Sequence, residues 1–571
     1  MSSTDAKQSL TASEVHALSD EIVETMAALQ PINATFKGVP GHDGEWDDWS
    51  PTGVAKVTAA LTGFQDRVRA LPPQQDRWSR LAARVMEDFI DLELDALDQA
   101  DPLNDLNSIA SPLQLIRMVF DSMDTSSPRG WENIAARLDH IDEAAEGYIL
   151  KLESHRAFKE LAAARQVRAV IDQALVHSGD RSFFRSLPAA MRGKGIDDSA
   201  LVGKVQRGSA KACAVFGSLA EYLSQVYLPE VTTEDGVGRE RYLRHARRFL
   251  GMELDADETY AWGWSEVRSI REAIRRVAEE ILPGGSLAEV FHLIKTDPSR
   301  SSKGHEDFVR QMRERQERAL SELDGSHFDI PDQLRKLDVR IAPKGGPLGA
   351  YYMMPSEDFS RPGAIFYSLG EEGPIPLFDQ ISTAYHEGFP GHHLQVGLQV
   401  SLTERLCRFH RLSDGYHGYA EGWALYAERL MHELGYLERP DYVLGMLCAQ
   451  MTRACRVVID IGSHLDLPIP NDSPFHPGER WSFDLGVEML RDLCGLQTNH
   501  AVSEMTRYLG WPGQAISYKV GERVILSLRE EERARLGSAF NLREFHAKIV
   551  GSGPVALQIL REIIREDDAT T

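Results

Sequence analysis

Apolar residues recur at helical spacing along most of this chain. In the first such segment they stand three or four positions apart and precede a proline that would end a helix: Val15, Leu18, Ile22, Met26 and Leu29, then Pro31. A later segment repeats the pattern with Trp78, Leu81, Val85, Phe89 and Leu92. Side chains at this spacing share one face of an α-helix. Similar segments lie near 132–155, 160–177, 205–226, 239–252 and 265–282. The N-terminal part, about 1–335, is therefore predicted to be helical.

One region has the character of β-strands. Between about 337 and 369, the stretches LDVRIAP, GAYYMMP and GAIFYSL are short, rich in β-forming residues and punctuated by glycine and proline. Helical patterns then return near 376–400, 418–435, 440–466, 480–509 and 513–535. No internal repeat, low-complexity linker or domain boundary is evident. We predict a mainly α single domain over 1–571, with a small sheet at about 337–369 beside the helices of about 376–535.

The charge balance of the chain argues against two classes of partner. Lys and Arg total 63 and Asp and Glu total 86, so the formal net charge is −23. Nucleic acids and anionic membranes attract basic surfaces, so neither is expected to bind. The five cysteines form no CxxC pair, which is typical of a reduced protein. The N-terminus lacks the apolar core of a signal peptide, and no run of eighteen apolar residues occurs. We expect a cytoplasmic protein, and its oligomeric state stays open.

The stretch AYHEGFPGHHLQ carries the most specific chemistry. His386 and Glu387 begin like the motif HExxH, in which two histidines one helical turn apart bind zinc and the glutamate is the general base. The position of the second histidine holds Pro390 instead, and two histidines follow, His392 and His393. The apolar run before the motif favours a buried helix that carries these groups.

Two interpretations of the late histidines are open. An ideal helix turns about 100° per residue, so His393 would return to the face of His386. It would lie about 10 Å along the axis, however, which is far for two imidazoles on one ion. Pro390 lacks the N–H that would bond to the carbonyl of His386, and the glycine after it adds conformational freedom. A bulge at Phe389–Gly391 would bring His392 to the ligand position, and we favour His392.

A candidate third ligand lies downstream. The stretch YAEGWALYAERL favours a helix and holds Glu421 near its start, 29 residues after His392. It resembles the second helix of the gluzincin metallopeptidases, in which a glutamate completes the zinc site. Glu428, seven residues later, lies on the same helical face, where it would either orient a ligand or be a solvated surface residue.

The combined pattern HEGFPGHHLQ, EGWALYAE and PGQAISYKVG resembles a bacterial family of domains of unknown function, number eight-eight-five. That family is similar in turn to the thermostable zinc carboxypeptidases of the Taq type. The resemblance implies a large, mainly α gluzincin architecture with a cleft. It also implies that zinc is held by His386, His392 and Glu421, that Glu387 is the general base, and that PGQAISYKVG faces the site. Tyr518 in that segment is the candidate donor to the developing oxyanion.

A polar stripe marks the segment 452–466. Its members step by three or four residues between apolar flanks: Arg453, Arg456, Asp460 and His464. The arginines are candidates to receive a substrate carboxylate, with Arg456 the more important because it lies nearer the centre. His464 is a candidate to assist the oxyanion donor. The alternative is a salt-bridge network that only stabilises the helix.

Two further candidates concern substrate binding. Lys519 follows Tyr518 directly and adds a cation to the same segment. The stretch GAYYMMP, with Tyr351 at its centre, offers an edge strand that would pair with the backbone of a substrate.

These motifs together predict a zinc-dependent, peptidase-like hydrolase that acts on a peptide or small amide, with carboxypeptidase action favoured. One alternative is a metal-dependent amide or lactone hydrolase that is not a peptidase. The other is a catalytically inactive helical scaffold, against which the intact Glu387 argues.

Overall fold

The structure, a computed structural model, describes residues 3–74, 76–159, 161–342, 349–370, 372–413 and 415–566. These residues are mainly α-helical with a few short strands, which confirms the predicted fold class at that level. The chain contains two compact units. The first comprises Met1–Asp235, Cys407–Phe409 and Leu509–Trp511, and the second comprises Gly236–Leu406, His410–Tyr508 and Pro512–Thr571. The single domain expected over 1–571 stays a prediction.

The N-terminal region is helical, as its apolar spacing predicts. Its helices are α1 (Ser3–Leu29), α2 (Pro31–Lys37), α3 (Pro51–Arg69), α4 (Arg77–Gln99), α5 (Pro102–Asp105), α6 (Pro112–Ser122), α7 (Pro128–Asp139), α8 (Ile141–Phe158), α9 (Ala164–Ser178), α10 (Phe183–Gly193) and α11 (Ser199–Tyr222). The apolar stripe of α1 packs with α3 and α4 in one core that includes Val15, Leu18, Ile22, Leu61, Phe64 and Met86. The side chains of Ser50 and Asp76 accept hydrogen bonds from backbone N–H groups in the first turns of α3 and α4, which have no partner within the helix.

From residue 236 onward, helices enclose five short strands. The helices are α12 (Arg239–Leu250), α13 (Ala256–Ile281), α14 (Leu287–Thr296), α15 (His305–Leu323), α16 (Gln380–Glu387), α17 (His392–Ser401), α18 (Arg408–Arg411), α19 (His417–Glu433), α20 (Pro440–His464), α21 (Phe483–Asp492), α22 (Thr498–Gly510), α23 (Ser517–Leu536), α24 (Leu542–Gly551) and α25 (Leu557–Arg565). The strands are β1 (Ser301–Ser302), β2 (Leu337–Ile341), β3 (Gly349–Met353), β4 (Gly363–Ser368) and β5 (Ile375–Pro376).

The strands form two small sheets. Strand β4 is central to one of them, parallel to β2 and antiparallel to β3, while β1 pairs with β5 in the other. The predicted strand region is thus confirmed in its described parts, and residues 343–348 lie outside the described residues. Among the described strands, β3 pairs only with β4, and α16 packs against it. An edge strand therefore lies beside the helix that carries the first half of the motif.

Helix α20 is a core helix of the second unit. It packs along α13, where a Cβ at Gly263 would lie 2.8 Å from the side chain of Val457 and 2.9 Å from that of Val458. It is also long and apolar enough to span a membrane, but 67% of its apolar window is buried inside the structure. Burial of that kind is typical of a helix at the centre of a globular fold.

Helices α19 and α23 approach each other through glycines. A Cβ at Gly521 would lie 1.9 Å from the carbonyl oxygen of Gly418, and a Cβ at Gly422 would lie 2.6 Å from the Cα of Gly521. Only residues without a Cβ permit backbones to come this close. The contact matters for the candidate site because Glu421 adjoins Gly422 and Tyr518 lies three residues before Gly521.

This contact predicts a large cost for one added methyl group. Gly521→Ala is expected to lower the free energy of unfolding by about 1–3 kcal/mol, because the new Cβ must displace backbone. Urea denaturation measures the change. Gly63→Ala is the matched control, since Gly63 is at an exposed position of α3 and its Cβ would meet nothing within 4 Å. Alanine there is expected to stabilise the helix by roughly 0.5–1 kcal/mol. A neutral or stabilising Gly521→Ala would contradict the close approach of the helices.

Candidate metal centre

The helix that begins the motif is interrupted between its histidines. Helix α16 ends at Glu387 and α17 begins at His392, so the predicted bulge is a break between two helices. A Cβ at Gly391 would lie 2.0 Å from the carbonyl oxygen of His386, which only glycine avoids. The indole N–H of Trp423 donates to the carbonyl of Pro390 at 2.9 Å and holds the connecting segment in place.

The break brings three predicted ligands together. Glu421 Oε2 lies 3.3 Å from His386 Nε2 and 3.6 Å from His392 Nε2. The centres of the His386 and His392 rings are 5.0 Å apart, and the ring planes are nearly perpendicular, at 87°. Ligand atoms on a tetrahedral zinc at about 2.1 Å lie about 3.4 Å from one another. Two of the three separations in the cluster therefore fit a single ion, and all three candidate ligand atoms lie within 4.8 Å of one another.

The chemistry of Glu421 also fits a cation. Its Oε2 is buried and receives no well-formed hydrogen bond. Burial opposes ionisation of Glu421, but the adjacent imidazoles of His386 and His392 outweigh it and hold the pKa of the carboxyl well below its usual range. An ionised, buried oxygen is costly unless a positive charge lies beside it. A divalent ion held by these three residues would supply that charge.

Glu428 orients the first histidine. Its Oε1 lies 2.8 Å from His386 Nδ1, and the hydroxyl of Ser382 donates to its Oε2. Glu428 is only 1% exposed, so it is not the solvated surface residue that the sequence allowed. A carboxylate on Nδ1 fixes the tautomer in which Nε2 offers a lone pair to a metal. Burial disfavours the imidazolium of His386, yet Glu421 and Glu428 raise its pKa to about 10.

His393 belongs to a different set of contacts. Its Nδ1 lies 3.0 Å from the hydroxyl of Tyr352, and its Nε2 lies 2.7 Å from the carbonyl oxygen of Leu334. Burial lowers the pKa of His393 to about 4, so the ring is neutral, with the Nε2–H donating to Leu334. Both ring nitrogens are occupied, and the structure places His392 rather than His393 beside His386.

Glu387 lies next to the cluster without a partner of its own. It is 8% exposed, and its carboxylate forms no hydrogen bond with the described residues. Burial raises the pKa of Glu387, opposed by the charges of His386, His392 and Arg453. Its carboxylate is therefore free to accept a proton from a water or a substrate at the cluster.

Tyr518 and the two arginines of the polar stripe also reach this region. The ring of Tyr518 lies 6.4 Å from that of His386, at 18°. The guanidinium carbons of Arg453 and Arg456 lie 5.7 Å and 4.7 Å from the centre of the same ring. Burial and the charge of Glu421 raise the pKa of Tyr518. The hydroxyl therefore stays protonated and able to donate.

The two arginines differ in what they already bind. Arg456 donates to Glu504 at 2.7 Å and to the hydroxyl of Tyr508 at 3.0 Å. Arg453 has no carboxylate partner among the described residues, and its buried Nε has no hydrogen-bond partner there. The sequence favoured Arg456 as the more important receptor for an anion. The geometry reverses that order, because Arg456 is already paired with Glu504.

Two predicted residues are engaged elsewhere. His464 is fully buried, with Nε2 3.1 Å from the carbonyl oxygen of Tyr508, and it lies about 12 Å beyond Arg456 along α20. Lys519 is 1% exposed and donates to Gln450 and to two carboxylates, those of Glu266 and Glu522. The geometry therefore argues against the expected roles of His464 at the oxyanion and of Lys519 in binding substrate.

Tyr351 lies on β3 but turns away from the motif. Its ring stacks on Phe366 at 5.1 Å, whereas its neighbour Tyr352 contacts His393. Adjacent side chains of a strand point to opposite faces of the sheet. Any contribution of β3 to substrate binding would therefore come from its backbone and not from the Tyr351 ring.

The geometry predicts different effects of removing the two late histidines. His392→Ala is expected to abolish stoichiometric zinc binding, because one of three ligands is lost. His393→Ala is expected to retain zinc while losing stability, because it leaves the carbonyl of Leu334 without its donor. Metal analysis of the purified variants, with circular dichroism to confirm folding, measures both. Zinc retained by His392→Ala and lost from His393→Ala would contradict the proposed ligand set.

Most of the chain is similar to one bacterial protein family and to solved structures. The family described as "Bacterial protein of unknown function (DUF885)" matches residues 31–564. No curated protein matches the sequence. Two solved structures, each described as a "putative lipoprotein", share the fold. One, from Colwellia psychrerythraea, is 23% identical with a TM-score of 0.84, covering 97% of this chain and 98% of that chain. The other, from Shewanella oneidensis, is 16% identical with a TM-score of 0.70, covering 96% and 99%. The chain belongs to the bacterial family of unknown function DUF885.

Proposed function

We propose that this protein is a zinc-dependent hydrolase of peptide or amide bonds. The observation that carries the proposal is the cluster of Glu421 Oε2 with the Nε2 atoms of His386 and His392, whose spacing fits a single ion. His386, His392 and Glu421 would hold the ion. Zinc bound there would polarise a substrate carbonyl and lower the pKa of a water. Three protein ligands leave a tetrahedral ion one position for that water or substrate.

Glu387 is the proposed general base. Its carboxylate is buried beside the ligands and has no competing hydrogen bond within the described residues. It would take a proton from the attacking water and deliver it to the nitrogen of the leaving amine. The raised pKa that burial gives Glu387 suits both steps, since the group must accept the proton and later release it.

Tyr518 is the proposed donor to the carbonyl oxygen. Negative charge develops on that oxygen as the carbonyl carbon becomes tetrahedral, and a fixed hydroxyl stabilises it. Arg453 and Arg456 lie against the Tyr518 ring and hold it near His386. These cations also make the surroundings of the developing charge more favourable.

A terminal carboxylate is the proposed recognition element of the substrate. Arg453 is half-buried, lacks a carboxylate partner among the described residues and lies close enough to Glu387 to affect its pKa. An arginine fork binds both oxygens of a carboxylate. The edge strand β3, packed beside α16, offers backbone groups to an extended peptide.

These features support a carboxypeptidase-type enzyme with a gluzincin-like cleft, akin to the Taq-type carboxypeptidases. The proposed substrate is a peptide or small amide in the cytoplasm. Cleavage of a mixed peptide library, followed by mass spectrometry, tests it. Metal binding without cleavage would favour hydrolysis of a non-peptide amide or lactone, and absence of metal would favour an inactive scaffold.

Loss of the base should separate metal binding from catalysis. Glu387→Gln is expected to bind zinc as the wild type does, because the three ligands are intact. Its rate should fall roughly 100- to 10,000-fold, because the amide cannot accept the proton. Glu433→Gln, at the end of α19 and paired with Arg529, is the matched control and should leave the rate unchanged. Near wild-type activity of Glu387→Gln would show that the proposed base is wrong.

The carboxylate proposal predicts that two losses overlap. Arg453→Ala is expected to lower kcat/KM for peptides with a free C-terminus by roughly 10- to 150-fold, since a charge-assisted pair contributes about 1.5–3 kcal/mol. Amidation of the peptide should lower the rate similarly and remove most of the effect of Arg453→Ala.

Arg533→Ala on the exposed end of α23 is the control for loss of an arginine. It should leave both peptides unaffected. Full activity on amidated peptides together with failure on N-acetylated peptides would show that the enzyme recognises the ammonium end instead.

A further inference from the structure

The break between α16 and α17 leaves the backbone N–H of Phe389 without the hydrogen bond that it would form in a continuous helix. In a continuous helix the N–H of Phe389 would donate to the carbonyl of Tyr385. Here it donates instead to Gln316 Oε1 at 2.7 Å. Gln316 Nε2 donates in turn to the carbonyl of Ala384, also at 2.7 Å. One side-chain amide from α15 thus joins the two sides of the break.

The fit of this amide is close. Gln316 is 2% exposed, and a Cβ at Gly388 would lie 2.4–2.5 Å from its Oε1, Cδ and Nε2. The amide therefore lies against the bare Cα of Gly388. A primary amide both accepts from an N–H and donates to a carbonyl, which no apolar or ionised carboxylate side chain can do.

We propose that Gln316 is a positioning residue that sets the separation of His386 and His392 and so determines metal affinity. The inference rests on the metal site proposed above. Ala384 lies two residues before His386, and Phe389 lies three residues before His392. The amide thus links the turn that carries the first ligand to the segment that leads to the second. Metal–ligand distances tolerate a change of only about 0.2 Å, so a loosened break should weaken binding.

The test is the zinc affinity of the apo protein, measured by competition with a chelator and without substrate. Gln316→Met keeps the length of the side chain and removes both hydrogen bonds. Its dissociation constant for zinc is expected to rise about 10- to 100-fold, as for other residues that orient metal ligands.

A buried glutamine away from the break provides the matched control. Gln399 is 2% exposed and donates to the carbonyls of Arg411 at 2.8 Å and Ser413 at 2.9 Å. Its Oε1 also accepts from Gln395 Nε2 at 3.2 Å, so Gln399→Met loses three buried hydrogen bonds, one more than Gln316→Met. Gln399→Met should lower the melting temperature at least as much as Gln316→Met does, but only Gln316→Met should lose zinc affinity.

The outcomes separate this inference from the proposed function. Wild-type zinc affinity in Gln316→Met would overturn the positioning role and leave the metal site intact. Absence of zinc binding in the wild type would overturn both. Equal losses of affinity in both variants would show a general effect of stability and also overturn the role. Should Gln316→Met fail to fold, Gln316→Asn, whose amide is one methylene too short to reach both groups, takes its place with the same expected result.

Discussion

The site depends on one interaction, that of the ionised carboxylate of Glu421 with the two imidazoles on either side of it, His386 and His392. Two further carboxylates lie close to Glu421 and also favour a cation at the site. Glu428 binds Nδ1 of His386, and Glu387 follows His386 directly in the chain. Such a cluster is costly in a protein interior unless a metal or protons compensate it. The ligands come from three helices, so the fold must fix the relative positions of α16, α17 and α19 to within a few tenths of an ångström. Close backbone contacts at Gly422 and Gly521, between α19 and α23, and at Gly391, after α16, restrict the movement of these helices.

The two extra residues in the motif change how the ligands are positioned. In HExxH one continuous helical turn sets the distance between the histidines. Here α16 ends and α17 begins between the two histidines, so tertiary contacts must set the distance between them. Gly391 packs on the carbonyl of His386, Trp423 binds the carbonyl of Pro390, and Gln316 joins Ala384 to Phe389. Mutations far from the ligands in sequence are therefore expected to affect the metal site.

Local patterns in the sequence predicted the parts of this arrangement that depend on local geometry. The spacing of Val15, Leu18 and Ile22 indicated α1, and Pro390 indicated a bulge where the structure has a break between two helices. Contacts between distant segments were not predictable in the same way. Arg456 pairs with Glu504, 48 residues away, and Lys519 pairs with Glu266 on another helix. His464 shares a stripe with the arginines, but a stripe of that length extends well beyond one site. The face to which Tyr351 points depends on strand register, which alternation alone leaves undetermined.

We propose that one ion lies between His386, His392 and Glu421. Anomalous X-ray diffraction at the zinc absorption edge is the most direct test of this ligand set. Crystals of the zinc-loaded wild-type protein should show one strong anomalous peak at about 2.0–2.2 Å from His386 Nε2, His392 Nε2 and Glu421 Oε2. The Nδ1 of His386 should remain bonded to Glu428 and His393 should remain bonded to Leu334. A peak coordinated by His393, or a zinc ion bound only at a site away from Glu421, would contradict the account.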